Sequence, residues 1–344
     1  MAKDRMPEFD IAKLIALCAV IVGHTAFAGV PQSLVDFCHS FDMPLFFIVS
    51  GYFCRQERLT PEYVKKNVRS LLFPYCLTAA LVIVFMTLRA LFLNENVIDA
   101  FITWIIAAAY GSGGVYPGMP SGVVAIGAIW YLLALFWAKL LLASANETKS
   151  PIVVVVLLFI TGISTRDYVW LPLSVQPALC AVLFLYVGAR IRELKLLDDG
   201  EIPPLLWVCV VATWLYCGAF FGQLYMVGNV YAHGFIDVIG GIAGSLSIIR
   251  LSRLIAVHLR RVGTIIAWMG KNTLPLFCMH LVSLNVIRWD VILAWEARLF
   301  PEFPLWIITL FVQFGLSAAL TLFLYLSPRL VSGVYFASKR VGHY

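Results

Sequence analysis

The chain has 344 residues, of which 61% are hydrophobic and only 13% charged, where an ordinary soluble domain is about a quarter charged. With a mean hydropathy of +0.90, this excludes a disordered chain, a fibrous protein and a secreted disulfide scaffold, and leaves a polytopic membrane protein. The net charge of +6 comes from Lys and Arg gathered in short loops between apolar runs, which is the footprint of cytoplasmic loops and not of a nucleic-acid surface.

In chain order, Lys3 and Arg5 precede an apolar stretch that ends near Ala26-Phe27-Ala28-Gly29, a sequence resembling a cleavage site. Glu8, Asp10 and Lys13 lie in or beside that stretch, so it reads as a retained first transmembrane helix and not as a signal peptide. The apolar runs predict an all-α fold with spans at 8–28, 39–54, 70–92, 123–144, 151–165, 171–190, 203–221, 235–251, 264–285 and 305–327. The runs are continuous and do not alternate, which argues against a membrane β-barrel. Several spans are shorter than the ~20 residues a lone helix needs to cross. Pro74, Pro177 and Pro275 predict kinks. Residues 100–110 are apolar but too short to cross, and a Gly/Pro-rich stretch follows, which predicts a re-entrant or interfacial element on the outer side. The eight cysteines are scattered with no CxxC pair and predict buried small hydrophobes, with neither a disulfide framework nor a metal site. Residues 1–344 read as a single membrane domain.

Orientation follows the basic residues. Rich loops hold Arg55, Arg58, Lys65, Lys66 and Arg69; Arg190, Arg192 and Lys195; and Arg253, Arg260 and Arg261 with Arg250 at the edge. Arg329, Lys339 and Arg340 lie near the C-terminus. Loops 94–99 and 222–233 are neutral or acidic, and 286–303 is mixed. The alternation predicts about ten spans with both termini cytoplasmic.

Ionisable residues inside spans are expensive and are functional candidates by default. The first span offers Asp10, Lys13 and His24. Lys13 and His24 are eleven residues apart, about 20° beyond three full turns, so they share a face with about 16 Å between them along the axis. Snorkelling and pairing with Asp10 is the bland account of Lys13. Hydrogen bonding between helices is the bland account of His24, Asp42 and His280. The second span begins His39-Ser40-Phe41-Asp42, and the ninth holds Lys271 and Asn272 near its inner end and His280 further out. The topology therefore predicts one layer with His24, Asp42 and His280, and a cytoplasmic layer with Lys13 and Lys271.

These residues carry a resemblance. FDIAKLIALCAVIVGH resembles the first-helix signature of acyltransferase family 3: an acidic residue, a basic residue, ten residues, then histidine. FDMPLFFIVSGYF, KKNVRSLLFPY, IWYLLALFW and MGKNTLPLFCMH resemble its later motifs in order. The chain is most similar to the fucose-O-acetylase-like branch, which tolerates lysine at the position of Lys13 where most of the family has arginine. Asp42 stands where a histidine is common, so no histidine role is carried onto it.

The resemblance implies transfer of an acyl group, usually acetyl, from cytoplasmic acyl-CoA to a sugar hydroxyl of a surface polysaccharide or its lipid-linked precursor. Acetyl-CoA would be a substrate, with no cofactor held, and the setting a bacterial cytoplasmic (inner) membrane. It also implies that His24 is catalytic and that Lys13 helps hold the donor. Chemistry agrees: a donor entering from the cytoplasm needs cations at the inner mouth, for which Lys13, Lys271, Arg69 and Arg190 are candidates, and a base further in. A neutral imidazole suits that base. Asp42 or His280 would orient it, and Ser50 and Asn272 are oxyanion-donor candidates by residue type. The main rival is a transporter or flippase, since helices with mid-depth charges also describe carriers, but no internal repeat appears. A sensor that keeps the fold without activity is the third reading.

Overall fold

The computed structural model describes residues 6–54, 57–197, 203–221 and 224–336. Of the basic residues used for orientation, Lys3, Arg5, Arg55, Lys339 and Arg340 lie outside the described residues, as do the side chains of Arg260 and Arg261.

The helices are α1 (Pro7–His24), α2 (Gln32–His39), α3 (Asp42–Phe53), α4 (Pro61–Asn67), α5 (Phe73–Phe92), α6 (Val97–Tyr110), α7 (Trp130–Ala145), α8 (Pro151–Thr165), α9 (Val175–Glu193), α10 (Pro204–Phe220), α11 (Phe235–His258), α12 (Arg260–Lys271), α13 (Thr273–Val286), α14 (Trp289–Leu299), α15 (Leu305–Leu326) and α16 (Arg329–Tyr335). A π-helical segment, Val68–Leu72, joins α4 to α5, and a two-residue hairpin pairs β1 (Leu224–Tyr225) with β2 (Val230–Tyr231).

Among the described residues, five segments are long and apolar enough to cross a membrane: Gln32–Phe53, Pro61–Phe92, Val175–Glu193, Phe235–His258 and Leu305–Leu326. A sixth is counted if α13 and α14, bent by 88°, form one broken span. Helices α6, α7, α8 and α10 are apolar but shorter. Length and composition thus give five or six full spans where the apolar runs predict ten. One reason is local: α1 has 18 residues but carries Glu8, Asp10 and Lys13.

Proline explains the largest departures from the predicted spans. In a continuous helix a proline ring collides with the carbonyl four residues back. Pro44 would strike Ser40, and the helical hydrogen bonding is interrupted at Ser40 and Phe41, so the predicted span 39–54 is α3 from Asp42, with α2 leading into it inside the segment Gln32–Phe53. Pro275 would strike Lys271, and the span predicted at 264–285 divides into α12 and α13 at Asn272. Pro74 would strike Ser70, and the backbone widens into the π segment instead of breaking. Pro177 falls in the first turn of α9, where it costs nothing and no kink is needed. The run 123–144 is helical only from Trp130, after Gly127 at φ +86°. Residues 289–299, read from sequence as loop, form α14. Residues 100–110 lie in α6, which Asn96 caps and Gly111 ends at φ +68°.

The chain packs as two compact units: Met1–Gln56, Phe184–Met226 and Val230–Thr273; and Glu57–Leu183, Val227–Asn229 and Leu274–Tyr344. In the first unit α1 is buried on most of its surface against α2, α3, α11 and α12. Gly51 and Gly188 bring α3 onto the second half of α9: a Cβ on either would lie 2.0 Å from a backbone carbonyl oxygen of the other helix. In the second unit α15 is built inside out, as a membrane helix is. Phe311, Leu322 and Phe323 are exposed, while Thr309, Gln313 and Ser317, one turn apart, are fully buried.

Candidate active site

Helix α1 starts favourably, with proline in its first turn and Glu8 and Asp10 near its positive end. Asp10 Oδ1 meets Lys13 Nζ at 2.8 Å; the carboxylate is nearly buried and the lysine side chain is 28% exposed. On the same turn the backbone of α12 touches that of α1. A Cβ on Gly270 would sit 1.9 Å from the Asp10 carbonyl oxygen, so only glycine fits. Lys271 follows directly and is exposed at the end of α12, beside this contact. Phe9 stacks on Tyr52 at 4.5 Å, which places the C-terminal end of α3 at this same end of α1. Arg192 of α9 donates to the Tyr52 carbonyl at 3.1 Å and lies 5.7 Å from its ring centre. One end of α1 therefore gathers Lys13, Lys271 and Arg192. Arg190, favoured over Arg192 from sequence, is instead paired with Glu193.

The other end gathers imidazoles. Thr25, fully buried, donates its hydroxyl to the Ile21 carbonyl at 2.7 Å and closes α1 just after His24. The His39 ring lies over Gly23: a Cβ there would be 2.5 Å from Cε1 and 2.8 Å from Nε2. His39 Nδ1 is 2.9 Å from Asp42 Oδ2, and Asp42 Oδ1 accepts from the Met43 amide at 2.5 Å. Asp42 is 1% exposed, so both oxygens are satisfied inside the protein. The Tyr225 ring stands edge-on to His39 at 5.5 Å. Ser40, between His39 and Asp42, donates to the Phe37 carbonyl and accepts from Trp214 Nε1 at 2.9 Å, which holds the break between α2 and α3. His24 is half-buried and directly follows Gly23, against which the His39 ring lies.

The structure thus brings His24 and Asp42 into one cluster and sets Lys13 and Lys271 at the opposite end of α1. It adds His39 and Arg192, which sequence reasoning noted but gave no role. Their signal is tertiary: neither shares an element with the residue it serves. The two oxyanion candidates are not at His24. Ser50 lies about 12 Å along α3 from Asp42, toward Tyr52. Asn272 follows Lys271 at the Asp10 contact and donates its amide to the Trp268 carbonyl at 3.2 Å. Asp42 meets His39 directly, so the carboxylate–imidazole pair expected at His24 is formed by its neighbour. Arg69 and His280 belong to the second unit. Arg69 is exposed in the π segment, and His280 is fully buried with Nδ1 3.4 Å from Ser317 Oγ.

A family model described as an acyltransferase domain matches residues 6–326. No curated protein and no solved structure matches the chain.

Proposed function

The chain belongs to this acyltransferase family, and from that premise we propose that it is a membrane O-acyltransferase. It moves an acetyl group from cytoplasmic acetyl-CoA to a hydroxyl of a surface polysaccharide sugar or its lipid-linked precursor. The proposed setting is a bacterial inner membrane, with both termini cytoplasmic. The observation that carries the reading is the polarity of α1: a cation cluster at one end and an imidazole–carboxylate cluster at the other, about 16 Å apart. Acetyl-CoA has the matching form, a negatively charged nucleotide end and a thioester at the tip of a long flexible arm.

In this reading Lys13 and Lys271, with the newly placed Arg192, receive the phosphates, and the arm runs along α1 to His24. His24 accepts the proton of the acceptor hydroxyl as its oxygen attacks the thioester carbonyl. The carbon–oxygen bond forms, the carbon–sulfur bond breaks, and the departing thiolate takes a proton. The buried Asp42 supplies the negative charge that offsets a protonated imidazole. Membrane lipids surround the chain, and the lipid-linked glycan reaches the site from the outer side.

The test is transfer by the purified protein in detergent from isotope-labelled acetyl-CoA to glycan acceptors, with mass spectrometry of surface glycans from deletion and restored strains. Label transfer, with an acetyl mass increment that disappears and returns, is expected. A purified, folded protein that binds no acyl-CoA while moving a glycolipid or anion across vesicles would establish the transporter reading instead.

A further inference from the structure

The cluster at the C-terminal end of α1 contains two imidazoles, and the mechanism above uses one. We propose that His39, held by Asp42, is a positioning residue and proton partner of His24, so that the transferred proton is shared by a pair of imidazoles. The proposal rests on the acyl-transfer reading and assigns a role inside it.

The geometry is specific on three sides of the His39 ring. Nδ1 faces the Asp42 carboxylate at 2.9 Å, which makes Nδ1–H the donor and leaves Nε2 as the nitrogen that exchanges a proton. The Cε1–Nε2 edge lies on Gly23, the residue before His24, in space that any side chain at 23 would fill. Tyr225 closes a further side. The carboxylate is itself fixed, because its second oxygen holds the Met43 amide. A base oriented by a third group is the arrangement that nucleophile activation uses, and here it is complete at His39, whose ring lies against the residue before His24. A tie between α2 and α3 alone would not need the Cε1–Nε2 edge to press against α1.

The step balances. The acceptor's proton enters on His24, the ester forms, and the thioester breaks. One proton leaves the pair to the thiolate, and the pair returns to its starting charge. The Asp42 carboxylate, held by His39 and the Met43 amide, faces the single positive charge that the two rings share. Of the other titratable groups on the helices that meet here, Cys18 lies on α1, and Asp36 and Cys38 lie on α2 beside His39. On α11, Asp237 is engaged by the His233 amide, and on α12, Lys271 stands at the far end of α1.

The experiment uses the full chain in detergent and the variants His39→Gln, Asp42→Asn and Gly23→Ala, each checked for a monodisperse peak. Two quantities are read: the steady-state pH–rate profile with acetyl-CoA, and the rate of diethyl pyrocarbonate modification of His24 against pH, followed by mass spectrometry. His39→Gln is expected to lower kcat at least tenfold with little change in KM for acetyl-CoA. It should also shift the His24 modification midpoint by about half a unit or more. Asp42→Asn should shift the same midpoint, and it carries the test if His39→Gln does not fold. Gly23→Ala should alter kcat by displacing the ring. An unchanged His24 midpoint in both His39→Gln and Asp42→Asn overturns the proposal, as does full kcat in His39→Gln. The modification midpoint requires no turnover: an inactive parent whose His24 midpoint still responds to position 39 would remove the acyl-transfer reading and leave the imidazole pair standing.

Discussion

The two ends of α1 are built on opposite plans. At Asp10 and Lys13 the contact is local: an i,i+3 ion pair on one helix, with the backbone of α12 pressed against it at Gly270. At His24 nothing comparable is local. The cluster there is assembled from α2, the first turn of α3, and the missing side chain of Gly23. On the proposed reading, the end that binds the donor needs a charge in roughly the right place, which one helix supplies, and the end that does the chemistry needs groups held in fixed mutual orientation, which takes several elements.

The strongest way to break this comparison is at His24. His24→Gln and His24→Ala should both express and insert, because one polar side chain is rarely decisive for insertion. Both should lose transfer by about 10²–10⁴-fold, since an amide hydrogen-bonds but does not take a proton. Acyl-CoA binding, followed by equilibrium titration, should survive because the cations proposed to hold the donor's charged end stand about 16 Å away along α1. Full activity in His24→Gln would refute a base at this position. Loss of folding in both variants would make His24 a structural residue.

How much of this could be read in advance divides along the same line. The Asp10–Lys13 spacing and the shared face of Lys13 and His24 follow from helix periodicity, and both lie on one helix in the structure. The break before α3 and the break at Asn272 were also signalled, by Pro44 and Pro275, but apolar runs taken alone join what proline separates. The His39 contact with Gly23 had no signature, because no periodic rule relates residues 16 apart across two helices and a turn. Ser50 and Asn272 were chosen by residue type, and type carries no position. The polar face of α15, with Thr309, Gln313 and Ser317 at every fourth residue, was visible in the sequence and was passed over inside a run that is otherwise apolar. The charges of α14, Asp290, Glu296 and Arg298, give its sequence the look of a loop. In the structure Glu296 is buried and accepts from the Thr309 hydroxyl at 2.5 Å.

The proposed donor end is next in expected effect. Gly270→Ala places a Cβ against backbone, which cannot rotate away, so α1 and α12 must separate. The cost should be on the order of 1–3 kcal/mol, read as a lower melting midpoint in detergent, with weaker acyl-CoA binding alongside. Gly315→Ala is the internal control. Nothing lies within 4 Å of a Cβ there, so the melting midpoint should hold or rise slightly through helix propensity. Equal destabilisation by the two substitutions would show that the α1–α12 contact is no tighter than an open helix face.

The smallest effect is the most discriminating for Lys13. Its side chain is 28% exposed, so its pair with Asp10 is screened and should be worth less than about 1 kcal/mol of stability. A phosphate contact is a different quantity: removing one cation from a charge-assisted site should weaken acyl-CoA binding roughly tenfold. Lys13→Ala should therefore change binding more than melting, and Lys13→Arg should keep most of both, because the charge remains. Removing the acid separates the two accounts. In Asp10→Asn the lysine loses its local partner, and if it serves the donor, acyl-CoA should bind as tightly as in the parent or more tightly, with a steeper dependence on salt. If the lysine serves only the carboxylate, Asp10→Asn and Lys13→Ala should destabilise alike, and neither should alter acyl-CoA binding. That second pattern would leave α1 with one functional end.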